Sequence, residues 1–137
     1  MNCVFCKIID KEIPAKIIDE DENTISFLDI APLNKGHTLV IPKKHYSDIH
    51  EIPYEELTVL IKKVKKIADS MKIALGCDGV NVFQNNGSAA GQLVFHIHFH
   101  VVPRYKGDHL DMANWRRVKY DSTQEQEEIV KKIKKML

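Results

Sequence analysis

The chain lacks the features that mark membrane, secreted and polyanion-binding proteins. Across 137 residues no apolar run approaches the ~20 residues that a membrane-spanning helix needs. The amino terminus carries neither the basic nor the apolar segment of a secretory signal, so a cytoplasmic protein is expected. An excess of one charge is also missing. Twenty Lys plus Arg against nineteen Asp plus Glu leave a net charge of +1, too balanced for the broad electrostatic footprint of a nucleic-acid binder. A small anion could still be held by local geometry. Cysteine is scarce: Cys3, Cys6 and Cys77 form an odd set, which argues against a disulfide framework. No repeat or low-complexity linker interrupts the chain. A single domain over residues 1–137 is therefore expected, large enough to bury roughly 65 to 70% of its unfolded surface.

Hydrophobic periodicity supplies the elements. Phe5, Ile8 and Ile9 form the apolar side of a short helix ended near Pro14. Residues 15–20, 24–29 and 36–42 read as strands of an antiparallel meander. The clearest helix spans residues 53–75, with Leu57, Leu60, Ile61, Val64, Ile67, Ala68, Met71 and Leu75 recurring at steps of three and four, Pro53 in the first turn and Gly76 at the stop. Its run of Lys62, Lys63, Lys65 and Lys66 reads as a solvated face, with a polyanion or partner site as the alternative. Residues 79–86 and 93–102 read as two further strands, the second stopped by Pro103. Ser122 to Glu125 is a capping box opening a last helix with Ile129, Val130, Ile133 and Leu137 as its apolar side. Five strands, mostly antiparallel, and two main helices predict an α+β fold.

Three histidines at alternate positions, His96, His98 and His100, carry the chemistry. On a strand they share one face, while Phe95, Ile97, Phe99 and Val101 share the other, which is the core face. Two uses compete for them. As metal ligands, one strand histidine with Cys3, Cys6 and His45 would complete a closed tetrahedral zinc site and leave two histidines free. The Cys-Val-Phe-Cys run itself fits a zinc knuckle, an incidental thiol pair or a redox pair. As a catalyst, the middle residue His98 can attack phosphorus if one ring nitrogen is bare and a hydrogen bond fixes the other. The preceding loop, with Asn85, Asn86, Gly87, Ser88, Gly91 and Gln92, offers amides to phosphate oxygens. Taken alone, Asp29 is an ordinary loop carboxylate and His37 a satisfied strand histidine. Cys77 reads as core filler, and His50 and His109 as surface residues.

The run from Gly91 to Arg104, with histidines alternating with apolar residues, closely resembles the signature of the histidine-triad (HIT) family. Phe5 to Ile9, Lys11 to Lys16, Phe27 to Pro32 and Gly36 to His45 resemble the corresponding blocks of its Hint-like branch, the form with an amino-terminal Cys-x-x-Cys zinc motif. The resemblance covers residues 2–105 as the core, leaving 106–137 as a carboxy-terminal extension with a helix. It implies a HIT-like five-stranded antiparallel sheet with two main helices, extended edge to edge across a homodimer. The implied activity is nucleotidyl hydrolysis or transfer at the α-phosphate of purine nucleotide conjugates such as phosphoramidates, AMP esters or dinucleoside polyphosphates, through a nucleotidyl-histidine intermediate.

Carried over by position, His98 is the implied nucleophile, supported by His96 and His100, with His37 assisting proton movement and Gln92 beside the leaving-group oxygen. Asp29 would bind the ribose hydroxyls and Asn85 would lie near phosphate and sugar, with Phe5, Ile8, Phe27 and Leu39 walling the pocket. Cys3, Cys6, His45 and His96 are the implied ligands of a structural zinc, with no catalytic metal required. Leu93 departs from the Ser or Thr that Hint and Fhit relatives carry there. The extension through Trp115, Arg116 and Arg117 does not match the short Hint tail and closes over either the site or a dimer partner. A nucleotide-binding regulatory module without turnover and a zinc-dependent interaction protein are the competing functions.

Overall fold

The computed structural model describes residues 2–111 and 116–137. Trp115 lies outside them. Helix α1, Val4–Ile9, is capped at Cys3 and ends well before Pro14, where Lys11 adopts a positive φ of 63° and the backbone folds back onto Lys7. Three antiparallel strands follow: β1 at Ile17–Glu20, β2 at Thr24–Leu28 and β3 at Thr38–Pro42. Helix α2, Tyr54–Leu75, then crosses to β4, Gly79–Gln84, and a 3-10 turn at Ser88–Ala90 precedes β5, Phe99–Arg104. The sheet order is β1-β2-β3-β5-β4, all pairs antiparallel, so β5 inserts between β3 and β4 and lies in the interior of the sheet. Helix α3, Thr123–Lys135, packs on α2 and β1.

Each face of the sheet has its own core. On one side Leu60, Val64, Ile67 and Met71 of α2 and Val130 and Ile133 of α3 bury Ile97, Phe99 and Val101. On the other, Phe5 and Ile8 of α1 pack with Ile25, Phe27, Leu39 and Ile41. The α2 boundaries follow their chemistry: Glu55 and Glu56 suit the positive end of the helix, and Gly76 adopts the left-handed C-cap with φ 59°. Two α2 residues depart from the periodic reading. Ile61 is 44% exposed because it sits one step round the helix from Leu60 and falls off the buried stripe. Lys63, read as part of a solvated face, turns onto Asp19 and Asp21 and is only 12% exposed at its side chain.

The larger correction concerns the histidine strand. The ladder begins at Phe99, not at residue 93, and runs through Pro103 to Arg104. Upstream the backbone leaves β3, and local bonds take over: Ile97 N donates to Tyr46 O, the His96 ring to Pro42 O and the His98 ring to His96 O. With the ladder gone the alternation lapses at Phe95, which is exposed instead of buried. Pro103 is tolerated because the last β3 rung is Thr38↔Val101, and beyond it the Asn34 side-chain amide takes the Pro103 carbonyl. At the capping box the Ser122 hydroxyl accepts from Glu125 N as expected, but Glu125 reaches back to Asp121 N, one residue before the cap.

Gly36 joins the fold to the site, since it precedes His37 and has a φ of 102°. A Cβ there would lie 2.7 Å from Leu75 Cδ1 and 3.3 Å from Pro103 Cγ. Gly36→Ala is therefore expected to lower stability by about 1–3 kcal/mol in urea denaturation; an unchanged midpoint would show that the backbone relaxes without cost.

Candidate active site and metal centre

The Cys-x-x-Cys run occupies the first turn of α1, so both sulfurs face the same side, and Cys3 Sγ accepts from the Cys6 amide. His45 follows β3, and His96 comes from the segment before β5. The His96 tautomer is fixed: its Nε2 lies 2.8 Å from the Pro42 carbonyl, which can only accept, so Nε2 carries the proton and Nδ1 is bare. That Nδ1 lies 3.6 Å from Cys3 Sγ, 3.6 Å from Cys6 Sγ and 3.2 Å from His45 Nδ1, while Cys6 Sγ lies 3.4 Å from His45 Nδ1. Tetrahedral zinc bonds of about 2.0–2.1 Å to nitrogen and 2.3 Å to sulfur would put N···N pairs about 3.4 Å and S···N pairs about 3.6 Å apart. The four donors thus fit a zinc-sized cation. As free thiols, Cys6 is pushed up to about 11 by burial and by the neighbouring Cys3.

The second centre shares His96. The His98 Nδ1 lies 2.8 Å from the His96 carbonyl and must donate to it, which leaves the His98 Nε2 lone pair uncommitted. Beside it runs a relay fixed at its far end: Leu33 N donates to His37 Nδ1 at 3.0 Å, so neutral His37 carries its proton on Nε2. That nitrogen lies 2.9 Å from His100 Nδ1, so His100 in turn presents an Nε2–H. Burial holds all the rings neutral. His37 and His100 are each pushed down to about 3 and His96 to about 4, while His98 is also lowered. Burial is the largest cause in each. Phe83 of β4 stacks on His100 at 4.3 Å and 8°. A bare imidazole nitrogen beside an imidazole N–H is an arrangement that can attack phosphorus and hold its oxygen.

Most of the residues singled out in the sequence converge here. Phe5 meets His98 edge-on at 5.1 Å and also contacts His96 and Phe27, and Ile8 and Leu39 share its buried cluster. Asp29 Oδ2 lies 3.7 Å from His37 Nε2. Asn85 is half-buried, and its carboxamide makes no hydrogen bond among the described residues. Gln92 behaves otherwise: it is buried, its Oε1 accepts from Gly87 N, and its Nε2 donates to both Ser47 O and Val94 O. Both carboxamide protons are spent on the loop, leaving none for a leaving group. Asn86 is likewise structural, accepting from Ile49 N and Gln84. Leu93 is 83% exposed, Cys77 is in the core, and His50 and His109 are exposed. Phe83 was missed, though the β4–β5 register opposite His100 could have pointed to it. Arg117, expected only within an extension closing over either the site or a dimer partner, reaches the site, its Nη1 3.0 Å from Asp29 Oδ2.

With this geometry in place, comparison decides the relationship. The HIT domain profile matches residues 10–107. The chain belongs to the HIT family. An uncharacterized HIT-like protein of Methanocaldococcus jannaschii is 58% identical over 106 residues, covering 77% of this chain and 81% of that protein. The adenosine 5'-monophosphoramidase of Schizosaccharomyces pombe is 44% identical over 104 residues, 76% of this chain and 75% of its own length. Among solved structures, a Zn-bound histidine triad family protein from Mycobacterium smegmatis superposes with a TM-score of 0.88 at 41% identity, covering 99% of this chain and 93% of that one. The family fold, a five-stranded antiparallel sheet with two main helices, is the one described above.

The depressed imidazoles give HIT-fold stability a pH dependence of known sign. Unfolded histidines take up protons near pH 6.5, whereas folded His37 and His100 resist until about pH 3. The unfolded state then binds more protons between those limits, so stability is full above pH 6.5 and falls as pH drops towards 3. The unfolding free energy from urea denaturation is expected to decrease between pH 7.5 and pH 5, by at most about 1.4 kcal/mol per pH unit for each ring. A flat profile would show that these rings are not buried as neutral bases.

Proposed function

We propose that this HIT protein is a nucleotidyl hydrolase acting on the α-phosphate of purine nucleotide conjugates, with His98 as the nucleophile. The observation that carries the reading is the bond from His98 Nδ1 to the His96 carbonyl, which leaves the Nε2 lone pair uncommitted on a ring whose centre lies 4.9 Å from that of His100. The amidase named among the relatives supports a phosphoramidate as substrate. In the proposed reaction, a bond from His98 Nε2 to phosphorus forms as the bond to the leaving group breaks. The leaving amine departs with the electron pair of the broken P–N bond and takes one proton from solvent, while the His100 N–H donates to a phosphate oxygen. Water then attacks phosphorus and breaks the Nε2–P bond, releasing the nucleoside monophosphate, returning one proton to solvent and restoring the neutral imidazole. Asp29 would hold the ribose hydroxyls, Asn85 the phosphate and sugar, and Phe5, Ile8, Phe27 and Leu39 the base and ribose. Gln92 would act by fixing the loop, not by touching the leaving group.

Cys3, Cys6, His45 and His96 would hold a structural zinc, which when bound braces α1 against the triad segment. The bare His96 Nδ1 and the matching donor separations support this assignment. Cys6→Ser should reduce zinc measured by mass spectrometry from about one ion per chain to near zero, with a lower melting temperature; undiminished zinc would remove Cys6 from the ligand set. The same reading carries a homodimer joined at a sheet edge, for which β4 offers an outer edge with Val82 exposed, and a cytoplasmic location.

The deciding experiment compares native protein with His98→Ala on an adenosine 5'-phosphoramidate. Turnover is expected to fall by about 1,000-fold or more while AMP affinity changes only a few-fold. Equal turnover by both proteins excludes His98 as the nucleophile. A nucleotide-binding module without turnover is the second reading, favoured by Leu93 and by the spent donors of Gln92. AMP binding by native protein with no hydrolysis would establish it.

A further inference from the structure

Residues 116–121, beyond the part matched by the HIT domain, lie along the segment that carries Asp29 and His37. Val118 N donates to Pro32 O at 2.8 Å, Gly36 N donates to the Tyr120 hydroxyl at 2.9 Å, and Lys35 pairs with Asp121 and Glu125. These contacts fix the backbone on both sides of Arg117 and bring its guanidinium to Asp29, beside His37. Arg117 Nη1 bonds Asp29 Oδ2 at 3.0 Å and Ala31 O at 2.6 Å. Its Nε and Nη2 make no hydrogen bond among the described residues, and its side chain is 43% exposed, so donors remain for a ligand.

The charge balance makes this placement consequential. His37 and His100 are neutral, since each Nδ1 accepts a hydrogen bond. Beside them, Asp29 Oδ2 lies 3.7 Å from His37 Nε2 and pairs with the guanidinium of Arg117 at 3.0 Å. Without Arg117 the proposed phosphate site would hold a net negative charge, and Asp29 would repel the anion it is meant to position. We propose that Arg117 is a specificity-determining residue of the triad site, neutralising Asp29 in the free protein and supplying the positive charge that selects a phosphorylated nucleoside over the bare nucleoside. The inference rests on the nucleotide-pocket reading above and adds a source of anion affinity, a full positive charge that the neutral rings of His37 and His100 do not carry. A guanidinium suits this role because one edge can stay on Asp29 while the other donates to phosphate oxygens.

Calorimetric titration of AMP and of adenosine into native protein, Arg117→Gln and Arg117→Lys tests it. In Arg117→Gln, AMP affinity should fall about ten-fold or more while adenosine affinity stays within about two-fold. Arg117→Lys should recover part of the AMP affinity because it keeps the charge. In native protein, AMP affinity should weaken with added salt while adenosine affinity does not; this arm needs no variant to fold. Parallel losses for AMP and adenosine, unchanged AMP binding in Arg117→Gln, or salt-independent AMP binding would each overturn the role of Arg117. Native protein that binds neither ligand overturns the nucleotide-pocket reading itself, whereas native AMP binding that survives Arg117→Gln overturns only this inference.

Discussion

His96 is the residue through which the two centres communicate, because three of its polar atoms are committed in three directions. Its Nε2 is tied to Pro42, its Nδ1 points at the two thiols and His45, and its carbonyl sets the proton of His98. Displacing any of these would disturb the others, since they share one short segment that has already left the β3 ladder. Phe5 strengthens the link. It sits between Cys3 and Cys6 in sequence and contacts the rings of both His96 and His98, so the helix that presents the sulfurs also walls the proposed nucleophile.

Competition between burial and charge sets the electrostatic state of the pocket. Asp29 favours protonation of His98 and His100, but desolvation is the larger effect and Arg117 opposes Asp29. Protonated imidazoles would attract phosphate but would lack a nucleophilic lone pair. Neutral ones keep the lone pair and need their cation from elsewhere. The ion pair between Asp29 and Arg117 resolves this by leaving the rings uncharged beside a guanidinium that remains half-exposed.

Much of the fold was legible because its signals are periodic or local. The α2 stripe, Gly76 and the Ser122 cap were read almost to the residue, since each reflects helix geometry or a single backbone conformation. The start of β5 was not, because alternation of His96, His98 and His100 persists in extended backbone whether or not a ladder forms. Pro103 was misplaced for a related reason: whether a proline interrupts a strand depends on the length of its neighbour, here β3. Within the site, the family blocks located Cys3, Cys6, His37, His45 and the triad, which the structure gathers. The full use of the Gln92 amide could not be read from sequence, because its partners Ser47 and Val94 are set by tertiary packing. The pairing of Arg117 with Asp29 was hidden by distance, the two being 88 positions apart.

That separation bears on the order in which the fold assembles. No residue of 116–121 belongs to the sheet ladder, so the strands can pair while Asp29 still lacks its guanidinium and Gly36 its tyrosine hydroxyl. Until that downstream segment docks, the carboxylate beside His37 stays uncompensated, and the pocket holds a different electrostatic state from that of the finished molecule.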